Sequence, residues 1–372
     1  MLSRPAIAIV GGGPAGLCAA REAAAAGHQC LLIDRQPVLG GQLIKQTHRF
    51  FGSRHERAGK RGIDIGDELA AEVSAAPEVK VWLDSTAIGY YREDRTLLVE
   101  RPGSLALVQP ERLILATGAA ERSLAFGNND LPGIYGAGAV QTLMNVHGVR
   151  PGRRAVLVGA GNIGLIVGYQ LLQAGVEVAA VLEAAPKVGG YWVHAAKLAR
   201  AGVPIMTSHS VLAAIGETEL RAVRAARLDA DWRPVAGSEF EIECDLLCLA
   251  VGLSPLADLA ALAGCRMVYV AALGGYVPWH DESLATSVPG VFVAGDAAGI
   301  EEASSAMIEG TLVGLAAANS IRAFAAYGER RREALARLAD LRAGPTGDKT
   351  RGGIAELRSL AAAPAATGGE RS

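Results

Sequence analysis

The sequence predicts an α/β protein assembled from two copies of one strand–turn–helix–strand unit. Three observations predict it. A GxGxxG turn follows a short apolar strand twice, at 11–16 and at 159–164. Each turn opens a helical stretch closed by a glycine, and a second apolar strand then ends in a carboxylate. Half of the 372 residues are hydrophobic and only 20% charged, which supplies buried sheet and excludes a disordered chain.

The first copy starts with the apolar run 6–10, followed by Gly11, Gly13, Pro14, Ala15 and Gly16 in the turn. A helix is expected from Pro14 to Ala26, because proline suits the first helical position and Gly27 sits just past the last. Cys30 to Ile33 is the second strand, and Asp34 and Arg35 follow it. The second copy begins 148 residues later. Its strand is Ala155 to Val158, its turn holds Gly159, Gly161, Asn162, Ile163 and Gly164, and its helix runs to Ala174. Val176 to Leu182 and Glu183 complete it. The acid comes 18 residues after the last glycine in the first copy and 19 in the second, near the roughly 20 of dinucleotide-binding folds.

Each part of this pattern has a physical task. The first glycine allows the tight turn, the second lets backbone approach a pyrophosphate, and the third lets helix pack on strand. The helix N-terminus offers amides to phosphate, and the terminal carboxylate accepts hydrogen bonds from a ribose diol. Two full copies imply two dinucleotides, or a duplication that has lost one. Further apolar runs end at Gly118, after Thr117, and at Gly252, and a third ends in Gly295 and Asp296 before a helical stretch over 303–325.

Taken together, GGGPAG at 11–16, GGQ at 40–42, ATG at 116–118, GAGNIG at 159–164 and VFVAGD at 291–296 resemble the pyridine nucleotide-disulfide oxidoreductases, in the thioredoxin reductase-like layout. The resemblance covers about 5–325. It implies two Rossmann-like dinucleotide-binding domains, the FAD domain discontinuous over 1–122 and 256–325 and the NAD(P) domain inserted at 123–255. By composition, a C-terminal helix and, beyond Gly344, a mobile tail rich in Gly, Pro, Thr and Ala are expected over 326–372. FAD is then held by the first fingerprint, with Asp34 on the adenosine ribose and Gly41 and Gln42 by the flavin. Thr117 and Gly118 lie at the crossover, and Gly295 and Asp296 at the ribityl or phosphate region. The second fingerprint holds the nicotinamide dinucleotide. NAD(H) is expected over NADP(H), because Glu183 repels a 2′-phosphate and Ala184 and Ala185 offer no guanidinium; Lys187 is the cation nearby.

One departure redirects the function. Thioredoxin reductases carry a redox CxxC just before the second fingerprint, where this chain reads GIYGAGAVQ at 133–141. The glutathione-reductase branch has a cysteine pair where this chain reads LGGQLIKQ at 39–46. The five cysteines, Cys18, Cys30, Cys244, Cys248 and Cys265, form no CxxC, disulfide framework or zinc set. A dithiol relay needs a thiolate and a resolving partner. The segments 131–145 and 40–48 resemble a disulfide-free subgroup, flavoprotein subunits of heteromeric dehydrogenases for opines, hydroxyproline, sarcosine or glycerol 3-phosphate. The implied partners are an iron–sulfur protein and a second flavoprotein subunit.

Between Lys45 and Arg61 six cations face one Glu56, and His48, His55, Phe50 and Phe51 are interleaved. Such a strip could steer an acidic partner or an anionic small-molecule substrate; the competing reading is a solvated loop with its phenylalanines tucked inward. Lys45 and His48 are the candidates for polarising the flavin or shuttling a proton. A helix over 329–341 with Leu335, Leu338 and Leu341 near one face is expected to dock on its own domain, with binding of a partner the alternative.

The expected activity is hydride transfer between NAD(P)H and FAD without a redox disulfide, in an electron-transfer subunit of a multi-subunit dehydrogenase. The alternatives are a stand-alone flavoenzyme acting on a small molecule and a noncatalytic assembly subunit. A net charge of −2 argues against nucleic acid, no apolar run is long enough to span a bilayer, and sparse cysteines fit a cytoplasmic, reduced protein. An oligomer is expected.

Overall fold

The computed structural model describes residues 2–50 and 54–360. Phe51 and the end of the expected tail, 361–372, lie outside the described residues. The chain divides into two compact units: unit 1 comprises 1–120 and 254–372, and unit 2 comprises 121–253.

Unit 1 opens with β1 (Ile7–Val10), α1 (Pro14–Ala25), β2 (Cys30–Ile33), α2 (Gly62–Ala75), β3 (Val79–Trp82) and, after an antiparallel meander over 86–108, β4 (Arg112–Leu115). Strands β1 and β2 are buried at every position, as strands covered on both faces must be. That is why they read as unbroken apolar runs rather than as alternations.

Unit 2 follows with β5 (Ile134–Gly136), α3 (Ala137–Asn145), β6 (Arg154–Val158), α4 (Asn162–Gln173), β7 (Glu177–Glu183), α5 (Trp192–Arg200) and β8 (Ile205–Thr207). An antiparallel layer of β9 (His209–Ile215), β10 (Ala222–Arg227) and β11 (Phe240–Glu243) precedes β12 (Leu246–Leu249). Its parallel sheet runs β5-β12-β6-β7-β8.

The chain then returns to unit 1 for the hairpin β13 (Met267–Val270) and β14 (Gly275–Pro278), then β15 (Val291–Val293), α6 (Ala303–Ile321), α7 (Tyr327–Leu341) and α8 (Asp348–Ser359). The unit 1 sheet runs β15-β4-β1-β2-β3, all parallel. This is the order of unit 2 with β15 in the place of β5 and β4 in that of β12. In both sheets the order reverses beside the first strand of the copy, and ligands of such sheets bind at that reversal, beyond the strands' carboxyl ends.

Helix α7 docks on its own unit, with Leu338 buried and Leu335 and Leu341 packed against the main core. The expectation of a mobile tail beyond Gly344 is corrected as far as Leu360. Residues 348–359 are helical, and Leu357 is fully buried with Ile354 against Leu273 and the β13–β14 hairpin. Their apolar spacing is too short to stand out within a Gly/Thr/Ala-rich composition, and only the hairpin gives it something to cover. Among the described residues no helix is long and apolar enough to cross a membrane.

Candidate cofactor-binding site

In unit 1 the three fingerprint glycines have three different surroundings. Gly11 has φ +108°, and a Cβ there would overlap the carbonyl oxygen of Ala116 at the end of β4. A Cβ on Gly16 would overlap the carbonyl oxygen of Gly11, so helix and turn touch backbone to backbone. At Gly13, the N-cap of α1, a Cβ would find only Gly41 Cα, at 3.8 Å. The first and third glycines are thus required by the fold, while the second leaves open space at a helix N-terminus, which suits a phosphate.

Asp34, buried at the end of β2, holds this turn. Its Oδ2 accepts the Gly12 N–H at 2.5 Å and its Oδ1 the Gln36 N–H at 2.7 Å. Each carboxylate oxygen keeps a second lone pair for a ribose hydroxyl. Arg35 is exposed. Gly41 crosses over the turn with φ +55°, and a Cβ there would lie 2.7 Å from Gly13 Cα; Gln42 beside it is exposed. The Thr117 hydroxyl donates to Leu256 O at 2.5 Å and Gly118 O accepts Leu256 N–H at 2.9 Å, so these two residues latch the returning chain.

The Gly295–Asp296 turn follows β15. Glu309, buried on α6, accepts the Gly295 N–H at 2.8 Å, and Glu301 N–H donates to Asp296 Oδ1 at 3.2 Å. Burial pushes the Asp296 carboxyl up to about 6, against the opposing hydrogen bond from Glu301 N–H. Burial likewise raises Glu309 despite its Arg342 partner. Sequence reading missed Glu301, Glu309 and Arg342.

Unit 2 repeats the arrangement. Gly159 has φ +104° and abuts Ala250 O, and Gly164 abuts Gly159 O; a Cβ on Gly161 would meet nothing within 4 Å. Glu183 accepts Ala160 N–H at 2.6 Å and Ala185 N–H at 2.8 Å, as Asp34 does for its own turn. Asn162 Oδ1 accepts Tyr191 N–H at 2.8 Å, Ile163 is exposed, and Gly252 O accepts Arg122 N–H at 3.0 Å. Sequence reading missed a second Gly-Gly pair. Gly190, the second of its pair, donates its N–H to Ala160 O at 2.9 Å, and in unit 1 Gly40, the first of its pair, donates to Gly12 O at 2.9 Å. The signal is legible afterwards: an acid, two residues, proline, two residues and two glycines occur at 34–41 and again at 183–190. Glu121 was also missed; it accepts the Gly138 N–H at 2.6 Å, on the segment where the resemblance to thioredoxin reductases would place a cysteine pair.

Lys45 ends the short 3-10 turn Gly41–Lys45, half-buried, and His48 stacks on buried Phe50 at 5.8 Å between ring centroids. The cationic strip around them is not an unopposed lip. Arg57 pairs with Glu68 at 2.7 Å and Lys60 with Glu68 at 2.6 Å, both onto α2, and Arg49 donates to Gly59 O. The carboxylates that offset the strip arrive one helix later in sequence, so a local charge sum overstates its field.

All five cysteines are buried and unbridged. Burial pushes the thiols up, Cys18 to about 11 and Cys30 and Cys244 to about 12, with Cys248 and Cys265 raised as well. A thiol so placed is a poor nucleophile.

Two braced glycine turns, each with an open helix N-terminus, have the geometry of dinucleotide-binding folds. The chain belongs to the pyridine nucleotide-disulphide oxidoreductase family, whose model matches residues 5–310, and is a flavin-dependent oxidoreductase of that family. The family implies FAD and a pyridine nucleotide. The chain is 31% identical to the alpha subunit of sarcosine oxidase from Corynebacterium sp. (strain P-1), over 84% of this chain and 32% of that one. It is 28% identical to an opine oxidase subunit from Agrobacterium tumefaciens (strain Ach5), over 83% and 64%. The chain therefore spans about a third and under two thirds of these relatives. Its fold is like that of T. acidophilum thioredoxin reductase, with a TM-score of 0.70 at 20% identity over 86% of this chain and 99% of that one.

Proposed function

We propose that the protein moves a hydride between NAD(P)H and FAD without a redox disulfide, as an electron-transfer subunit of a multi-subunit dehydrogenase. The observation that carries this is the duplicated, braced glycine turn in a chain whose thiols are all buried and raised. Unit 1 takes FAD in this reading, because its turn alone is closed by the Gly295–Asp296 edge, and unit 2 takes the nicotinamide dinucleotide.

Bound flavin supplies the two-electron chemistry. The chain's own residues do the rest. Gly13 and Gly161 admit pyrophosphate, and Asp34 and Glu183 hold ribose while bracing their turns. Gly41, Gln42, Thr117 and Gly118 line the flavin side, where Lys45 and His48 are the proposed proton-handling pair. NADH is the preferred reductant. A second flavoprotein and an iron–sulfur protein are the proposed partners, in the cytoplasm. That the protein works with partner subunits is supported by its relatives, since each of them is a subunit of an oxidase.

Anaerobic mixing with NADH tests the reading. The protein purifies with FAD, not FMN, and NADH bleaches the flavin band equally well after exhaustive treatment with a thiol-alkylating reagent. Release of FMN alone on denaturation, or a flavin that NADH leaves oxidised, defeats it.

A further inference from the structure

Arg342 lies at the C-cap of α7, and its guanidinium joins two carboxylates from different segments. Its Nε donates to Glu301 at 2.8 Å and its Nη2 to Glu309 at 2.6 Å, with all three side chains largely buried. The other oxygen of Glu309 accepts the Gly295 N–H, and the Glu301 N–H reaches Asp296. One cation therefore stands against three carboxyls, two of them bonded to the Gly295–Asp296–Glu301 backbone. Arg342 is itself held from behind: Arg351 of α8 donates to the carbonyls of Arg342 and Gly344, and Gly347 packs against Arg342 so closely that a Cβ would overlap its carbonyl.

We propose that Arg342 is a positioning residue for the cofactor-facing turn, fixing Gly295 and Asp296 through Glu309 and Glu301, so that the C-terminal segment 342–360 is a strap that sets how unit 1 receives its flavin. This rests on the reading that unit 1 takes FAD. Without the guanidinium, two buried carboxylates would face each other, and one must take up a proton. A protonated Glu309 accepts the Gly295 N–H less well, and the turn loosens. Six ionisable groups face Glu309 across a cavity of about 50 Å³: His280, Asp281 and Glu282 from the segment before β15, Glu301, Arg342, and Arg358 from α8.

The test is FAD titration of the apoprotein by flavin fluorescence across about pH 8–9.5, above the ranges in which Asp296 (raised to about 6) and Glu309 (raised to about 7) titrate while Arg342 is present, together with thermal unfolding of the apoprotein. In the wild type the affinity is flat. In Arg342→Met it falls about tenfold or more and varies with pH, because Glu309 now titrates within that range. Arg342→Met/Glu309→Gln restores a flat profile and most of the affinity, since an amide oxygen accepts the Gly295 N–H without charge. A purely structural arginine would not be rescued this way. Glu309→Gln alone, nearly isosteric, keeps the question open to measurement should Arg342→Met not fold; its affinity is expected flat with pH and within about threefold of wild type. A flat, wild-type-like Arg342→Met, an unrescued double variant, or a pH-dependent Glu309→Gln overturns the proposal alone. A wild type that binds no FAD overturns the cofactor reading and this inference with it.

Discussion

In unit 1 the edge strand β15 leads into the Gly295–Asp296 turn, and a 19-residue helix, α6, then lies against α1. In unit 2 the corresponding edge strand, β5, runs straight into α3, whose first amides are taken by Glu121. The shared parts are the turn, its carboxylate brace and the Gly-Gly pair, and they meet needs common to any pyrophosphate and ribose. The unshared parts lie at the sheet edge, where the remainder of each ligand would differ. Unit 1 also packs more tightly there. A Cβ on Gly310 would overlap Ala15 O, and one on Gly314 would lie 2.6 Å from Ala19 O, so α6 rides directly on the backbone of α1. On the proposed reading, the difference teaches that a duplicated turn would set what is bound in common, and that the chain closing over its edge would set what is not.

The largest effects come from separating fold glycines from ligand glycines within the repeat. Gly16→Ala puts a methyl into the Gly11 carbonyl and is expected to cost at least about 3 kcal/mol, seen as loss of the unit 1 transition in thermal unfolding. Gly161→Ala meets nothing within 4 Å, so stability changes by no more than about 1 kcal/mol, the cost of a poorer N-cap, while nicotinamide-dinucleotide affinity falls. Equal destabilisation by both changes would break the comparison.

This division bears on what the sequence made legible. Both strand–turn–helix–strand copies could be read, because their glycines, helix boundaries and acids are local signals separated by fixed short spacings. The helix after Asp296 could be read too, although it stops at Ile321, where Arg322 leaves the helix with φ −144° and Asn319 Oδ1 takes the Phe324 N–H at 3.4 Å. The Arg342–Glu309 pair could not be read, since it joins residues 33 apart; the sequence shows only that Glu309 is the one charged residue of the apolar stretch 303–321 and does not say which cation meets it. Glu22 and Glu56 behave alike: both are buried and paired, with Arg330 and Arg337 respectively, through the packing of α7. Long-range ion pairs depend on which helix faces which, and periodicity does not carry that.

A sharper contrast between the units is coenzyme choice. Glu183 is held in place by two backbone amides, so it cannot swing away from a 2′-phosphate, and Lys187 is exposed rather than folded against it. Flavin reduction should favour NADH over NADPH in k/K by about ten- to a hundred-fold, or about 1.5–3 kcal/mol. Glu183→Gln, which keeps one acceptor for the amides, should narrow that gap. Equal k/K for the two coenzymes in the wild type would sink the assignment of Glu183.

The smallest effect expected is on stability alone and belongs only to unit 1. Asp296 has its carboxyl raised from 3.8 to about 6 by burial, so the folded apoprotein favours the protonated form. The sign follows from linkage. The associated stability is fully present below about pH 3.8 and is lost as pH rises through about 6, after which the buried charge destabilises the fold. The shift corresponds to about 3 kcal/mol, and solvent at the half-buried edge of the side chain trims this to about 1–2 kcal/mol. Asp296→Asn, similar in shape and uncharged, should therefore stabilise the apoprotein above about pH 6 by that amount and leave it unchanged near pH 3.8, provided unfolding is followed reversibly at each pH. FAD affinity should move the other way, because the amide gives up one acceptor at the turn. An apoprotein whose Asp296→Asn variant is no more stable at pH 8 than the wild type would mean that water already solvates this carboxylate, and that the unit 1 edge is as open as that of unit 2.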